Sequence, residues 1–425
     1  MFRRWFFAFV GVGGVAVLAY LAVAWRPALA PIEPPSPSSF PSGLVEKGQA
    51  LASAGRCIDC HTVRGGPTGA GGVAFERMLG IVFSTNITPD ADTGIGRWSR
   101  AAFARALREG ISRDGSHLFP VFPFVHFTML SDGDIDALYA YLMTLPPVKA
   151  VAPSDSIPFP LDIRALQETW TAVYLEPGPY RPDPSHDARW NRGAYLVEGV
   201  AHCADCHTPR NLFGAEERGH PLGGAPVGTL IATPLDITPS PAPWTQAEMV
   251  RYLRSGESET HGTALAAMQR VVLSLRPLPD SDIEAMAVYL GSQMAARPNH
   301  ERAMAKALAS PEPRNDDERL GAQLYLNACG RCHEKPGATP ESARAPIGLS
   351  SALWMDDPNN FLHIVLDGIQ RQDGLPGPTM PAFRDALNDR EIGGIAQFLR
   401  RTRTTLSAWG EMPVMVKKMR GASAP

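Results

Sequence analysis

Apolar positions along this chain fall into two patterns. The first is a block. Arg3 and Arg4 precede a run from Trp5 to Trp25, 21 residues without a charge, about the length a helix needs to cross a bilayer. Ala28-Leu29-Ala30 resembles a cleavage site, so residues 1–26 read as a membrane anchor or signal segment, with length favouring the anchor. The leading arginines favour an inside N-terminus, which puts everything after Arg26 on the outer side. Residues 27–43 are then a Pro-rich tether, semi-rigid and extended.

The second pattern has helical period and comes three times. A short helix carries Gly and then Leu three residues on, at Gly48/Leu51, Gly193/Leu196 and Gly321/Leu324. A later helix closes each repeat: Ile135 leads to Tyr141-Leu142, Ile283 to Tyr289-Leu290 and Ile392 to Phe398-Leu399. Each closing helix opens on a capping-box pattern, Ser131/Asp134, Ser281/Glu284 and Asn388/Glu391. Between them, Asn86-Ile-Thr-Pro89 precedes a helix predicted over Trp98–Gly110, and Asp236-Ile-Thr-Pro239 precedes one over Trp244–Gly256. Arg105, Leu107 and Arg108 of the first match Arg251, Leu253 and Arg254 of the second. The third repeat keeps only Phe361–Gly368 as a counterpart. Trp98 and Trp244 read as core packing. One supersecondary unit used three times is the simplest account.

The predicted fold is therefore all-α, with three tandem domains after an N-terminal hydrophobic helix. The boundaries are 44–150, 187–297 and 314–402, with connectors at 151–186 and 298–313 and a tail at 403–425. The first connector carries Phe159, Trp170, Tyr174 and Tyr180, so it is expected to pack across the first two domains. The tail has Trp409, Met412, Val414, Met415 and Val416 before Lys417, Lys418 and Arg420. It suits a membrane surface or a docking site on protein equally.

The chemistry sits at one place in each repeat. Cys57-Ile-Asp-Cys60-His61, Cys203-Ala-Asp-Cys206-His207 and Cys329-Gly-Arg-Cys332-His333 share C-x-x-C-H, the attachment pattern of a c-type haem. Two intervening residues let one helical turn set both sulfurs along a porphyrin edge. The next residue then turns its imidazole to the iron. With 11 His in 425 residues, three such followers by chance are about 2 in 100,000. All six Cys lie in the motifs. None is left for a disulfide, and three pairs do not divide into four-cysteine zinc sites. Three haem c groups are expected, with His61, His207 and His333 as proximal ligands. A net charge of -3 offers no nucleic-acid footprint.

The sixth iron position sets much of the potential, and Met raises it relative to His. Met380 lies in Gly377-Pro378-Thr-Met380-Pro381, Met129 just before Ser131, and Met268 farther upstream of its closing helix. These three are the distal candidates. His117, His126 and His261 are the rivals and would give bis-His haems.

These residues resemble the tri-haem cytochrome c subunits of bacterial membrane-bound periplasmic dehydrogenases of the alcohol, aldehyde and gluconate types. Similar subunits accompany some molybdenum hydroxylases. The carriers are Ser84-Thr-Asn-Ile-Thr-Pro-Asp90, Thr93-Gly-Ile-Gly96, His117-Leu-Phe-Pro120, Phe159-Pro-Leu-Asp-Ile-Arg164, Asn191-Arg-Gly-Ala-Tyr-Leu196 and Cys206-His-Thr-Pro-Arg210. The resemblance covers roughly residues 45 to 402. It departs at Phe122-Pro-Phe124, where an aromatic Pro-Tyr turn is usual, and at Ala266-Ala267, where Gly-Pro commonly precedes the ligand. It implies an electron-transfer role, not a catalytic one. A dehydrogenase catalytic subunit using flavin, pyrroloquinoline quinone or a molybdenum cofactor would be the donor. Membrane quinone or a terminal oxidase would be the acceptor, with the chain anchored in the inner membrane and its haem domains in the periplasm. The competing readings are a haem enzyme such as a peroxidase, which needs an open sixth position, and a cytochrome subunit of a terminal oxidase or nitrogen-oxide reductase.

Overall fold

The computed structural model describes residues 5, 14–15, 18–77, 80–310, 312–313, 316–334, 346–372, 375 and 379–421. Arg3, Arg4, residues 6–13 and 16–17 of the Trp5–Trp25 run, Pro311, Gly377 and Pro378 lie outside the described residues. Two compact units make up the chain. Unit 1 is Met1–Pro182 with Glu198–His202, and unit 2 is Asp183–Val197 with Cys203–Pro425.

Unit 1 begins with α1 (Ser42–Ala54) and the hairpin β1 (Ala74–Arg77) and β2 (Gly80–Phe83), then α2 (Arg100–Glu109) and α3 (Asp132–Met143). Helix α1 crosses α3 at Gly48, where a Cβ would stand 1.9 Å from the Ala137 carbonyl oxygen. Only glycine permits that approach. Lys47 fastens the crossing to Asp134 at 2.6 Å. Ser99 caps α2, and Gly110, at φ 67, ends it. The segment after α3 packs on unit 1 itself: Trp170 meets Phe124 edge-on at 5.9 Å, and Arg164 lies 3.9 Å over the Phe119 ring. Phe159, expected to pack, is 80% exposed.

Unit 2 repeats the crossing twice. Its elements are α4 (Ala188–Ala194), the hairpin β3 (Ala225–Val227) and β4 (Leu230–Ala232), α5 (Gln246–Ser255), the two-residue strands β5 (Glu257–Ser258) and β6 (Gly262–Thr263), α6 (Ala266–Leu275), α7 (Asp280–Gln293), α8 (Asp316–Tyr325), α9 (Asn359–Asp367), α10 (Asp389–Arg403) and α11 (Met412–Arg420). Gly193 of α4 meets the Ala285 carbonyl of α7, and Gly321 of α8 meets the Gly394 carbonyl of α10, at 2.0 and 2.6 Å from their absent Cβ atoms. Arg192–Asp282 and Arg401–Glu318 pairs, 2.7 and 2.5 Å, hold these crossings. Asn388 and Glu391 form the full capping box expected. Ser281 does not cap: α7 begins one residue earlier, at Asp280, after Pro279.

The fold-class expectation is corrected on three counts. Among the described residues three antiparallel hairpins are present, so the chain is not all-α. Among the described residues no helix is long and apolar enough to cross a membrane, so no N-terminal hydrophobic helix of that length is shown. Finally, the chain divides into two units and not three tandem bodies. The reason lies in the hydrogen bonds inside unit 2. Asn360 of α9 exchanges two 2.8 Å bonds with the Ile231 backbone of β4. Arg297 donates to the Trp354 carbonyl at 3.2 Å, and its guanidinium sits 5.1 Å over that ring. The connector predicted at 298–313 is itself core: Ala303 and Ala307, in a helix over His300–Leu308, are buried in the same apolar cluster as Trp354, Phe361 and Phe398. Trp409, Met412 and Val416 of the tail join that cluster, so the tail docks on protein.

Candidate functional site

Each C-x-x-C-H motif follows the glycine-bearing helix of a crossing, so the packing that fixes the helix also fixes the cysteines. The backbone before the first cysteine takes a special turn every time. Arg56 and His202 are left-handed, φ 54 and 39, a conformation costly for a residue with a Cβ. Ahead of Cys203 the helix widens into a π turn at Tyr195–Val200, and another at Leu326–Gly330 runs through Cys329, a distortion concentrated at functional sites. Each device re-aims the residues that follow it.

No two cysteines are joined among themselves. Burial, with a lesser push from the second cysteine, raises the Cys57 and Cys203 thiols to about 12 and Cys329 to about 11. Burial therefore keeps these thiols neutral at pH 7. Burial lowers His61 and His207, which stay neutral as an iron ligand must. Their orientation is set by the partner of the other ring nitrogen. His61 Nδ1 donates to the Thr85 carbonyl at 2.6 Å and His207 Nδ1 to the Thr233 carbonyl at 2.7 Å. That leaves Nε2 forward in each, the arrangement that metal-binding histidines use. In the first two motifs, partly buried thiol pairs beside a neutral, oriented imidazole are the donor set a covalent haem requires. His333 is half-buried, and Glu334 beside it accepts from Tyr325 Oη at 2.6 Å and pairs with Arg403.

The Asn86 motif finds its reason here. Asn86 Oδ1 accepts from the Thr88 N–H and hydroxyl, while its amide donates to the Val148 carbonyl at 2.7 Å. This buried knot ties the Thr85 strand to the segment after α3. Gly94 and Gly96 press on the Thr88 and Pro89 carbonyls, where a Cβ would stand 2.2 and 2.3 Å away.

On the distal side, Met129 is half-buried, and Arg108 clasps the carbonyls on either side of it, Thr128 at 3.1 Å and Leu130 at 2.8 Å. Arg254, its match, holds the Leu275 and Leu278 carbonyls at the end of α6. Met268 lies in the first turn of α6, packed against a cluster of Ala264, Val272 and Leu375. That helix starts at Ala266 with φ 37, so alanine occupies a position whose geometry favours the family's glycine. Met380 is bridged to Ile369. Of the rivals, His117 Nε2 bonds the Ala24 carbonyl at 2.7 Å, and His126 Nδ1 bonds the Glu198 carbonyl at 2.8 Å. His261 stacks on Trp244 at 3.7 Å. Sequence reasoning did not single out Thr85, Thr233 or the Arg108 clasp. Arg108 had a signal in the repeat, since Arg108 and Arg254 align; the threonines had none, because they act through backbone carbonyls.

Two family profiles match, cytochrome c over residues 45–146 and the cbb3-type cytochrome c oxidase subunit III over residues 316–399. Among curated proteins, a nicotinate dehydrogenase subunit of Pseudomonas putida is 42% identical over 96% of this chain, and the chain spans only 34% of that protein's length. The fructose dehydrogenase cytochrome subunit of Gluconobacter japonicus is 35% identical over 86% of this chain and 80% of its own. The gluconate 2-dehydrogenase cytochrome c subunit of Pantoea cypripedii is 35% identical over 86% of each. With the motifs, the oriented imidazoles and this similarity together, the chain belongs to the cytochrome c subunits of dehydrogenase complexes, a family of electron-transfer proteins that are not catalytic alone.

Proposed function

We propose that this chain carries three haem c groups. Cys57, Cys60, Cys203, Cys206, Cys329 and Cys332 are the thioether anchors. His61, His207 and His333 are the proximal ligands, and Met129, Met268 and Met380 the distal ones. Bound haem supplies reversible one-electron chemistry. The protein's part is to fix that chemistry in place. Thr85 and Thr233 carbonyls hold two imidazoles with Nε2 forward, Arg108 holds the Met129 loop, and the glycine crossings set the cysteines. The observation that carries the reading is the threefold recurrence of C-x-x-C-H behind a glycine-locked helix crossing.

The electron donor is a separate dehydrogenase subunit, with a flavin, quinone or molybdenum cofactor, acting on an alcohol, aldehyde or similar small substrate. The names of the relatives, fructose, gluconate and nicotinate dehydrogenases, support that class. The acceptor is a membrane quinone or terminal oxidase, on the periplasmic side of the envelope. The charge-free run after Arg3 and Arg4 supports export. The match of residues 316–399 to an oxidase subunit profile favours a second reading, a cytochrome subunit of a terminal oxidase.

The test is protein matured in a host competent for haem c. Intact mass should give three haem additions, and the chain should co-purify with a dehydrogenase subunit whose substrate reduces it. Fewer additions, or co-purification with an oxidase core, overturns the corresponding part. Prompt carbon monoxide binding by the reduced, undamaged protein would favour a haem enzyme instead.

A further inference from the structure

Within unit 2 a strap of chain, described at residues 369–372, 375 and 379–380, links the two distal methionines. At one end Met380 and Ile369 exchange backbone hydrogen bonds of 2.9 and 3.1 Å. Gly368, at φ 72, permits that closure: a Cβ there would stand 2.3 Å from the Met380 carbonyl oxygen. At the other end the strap lies on α6. Gln269, the residue after Met268, is buried with its amide fully engaged. Its Nε2 donates to the Ala264 carbonyl at 3.1 Å and to the Gln370 carbonyl at 3.0 Å, and its Oε1 accepts from the Gln372 N–H at 2.9 Å. Leu375 packs in the apolar cluster that Met268 adjoins. Arg371 reaches past it to the Ser255 carbonyl at 3.0 Å and the Glu257 carboxylate at 3.3 Å, both beside α5.

A glutamine amide that bonds two strap residues from the turn carrying Met268 makes a continuous hydrogen-bonded path: Met268, Gln269, Gln370, Ile369, Met380. Buried amides in such networks are costly to leave unsatisfied, so they enforce one geometry. We propose that Gln269 is a positioning residue shared by the second and third haem sites, fixing both distal methionines through one side chain. This rests on the reading of Met268 and Met380 as axial ligands. It adds that the two sites are not set independently: loosening one distal loop loosens the other.

The experiment uses the full chain matured with haem, followed by redox titration and by the weak far-red band of Met-ligated ferric haem. In Gln269→Leu two of the three haems should lose that band and fall in potential, while covalent haem content is unchanged. Gln269→Glu keeps the acceptor for Gln372 and loses both donations, so the same two haems should move by less; it serves also if the leucine variant does not mature. Met380→Ala should shift the second haem as well as its own in the parent, and no longer shift it in the Gln269→Leu background, the signature of a real coupling. A response confined to one haem, or a cross-effect indifferent to Gln269, overturns the proposal. The axial reading is tested apart from it: persistence of the band in Met268→Ala or Met380→Ala would reject that ligand.

Discussion

At the scale of single residues, the structure turns on side chains that hold carbonyls in place. Arg108 is the clearest, because it grips the backbone on both sides of Met129 while an ion pair to Asp132 at 3.1 Å steadies it. Arg108→Ala should lose two hydrogen bonds from a charged donor, worth about 2–3 kcal/mol. The first haem should then lose its Met band and fall in potential, with covalent attachment intact; an unchanged spectrum would mean the loop is held elsewhere. His261 makes a second residue-level prediction. Its pKa is pushed down to about 4, chiefly by burial, against an unfolded value near 6.5. The folded protein therefore resists binding a proton that the unfolded chain accepts. Stability should fall as pH drops from about 6.5 to about 4, by about 3 kcal/mol in all, and change no further through this group below that. His261→Phe, which preserves stacking on Trp244, should flatten the slope in denaturant titrations across that window.

At the scale of elements, the crossings dominate. Gly193 allows α4 to sit against the α7 backbone, so Gly193→Ala puts a methyl 2.0 Å from the Ala285 oxygen. The helices must part, at a cost of about 1–3 kcal/mol. The thermal midpoint should drop and Cys203 should be loaded with haem less completely, whereas Gly291→Ala on α7, with nothing near its Cβ, should do neither. This crossing was half legible in the sequence. The spacing of Gly and Leu marked the repeat, and period alone placed α2 and α5 close to their observed bounds, because Ser99 and Thr245 cap one end and Gly110 and Gly256 the other. The C-x-x-C-H motifs stand out in the sequence, since covalent attachment demands fixed spacing. What could not be read was anything resting on backbone carbonyls. Thr85 and Thr233 act through atoms every residue has, and the hairpins are two to four residues long, too short to leave an alternating pattern. Ser281 looked like a cap and is not one, because Pro279 starts the helix first.

At the scale of the whole chain, three sequence repeats fold into two units, and this has a consequence for stability. The second and third C-x-x-C-H segments share unit 2, joined by the Asn360–Ile231 pair, the Gln269 amide, the Arg297 contacts with Trp354 and a bond from the Ser351 N–H to the His261 carbonyl at 3.0 Å. Such ties are partly buried and directional. Breaking them leaves polar groups unsatisfied, so the two segments have reason to unfold together. Denaturant unfolding followed at the second and third haems should therefore give one coincident transition, where independent tandem domains would give two. Asn360→Ala removes both bonds to β4 and should cost about 2 kcal/mol. Because the loss falls on the tie and not on either haem pocket, the coincidence should break before either haem's ligand band changes. Two separated transitions in the unaltered protein would show instead that each segment stands alone and that these hydrogen bonds are surface decoration.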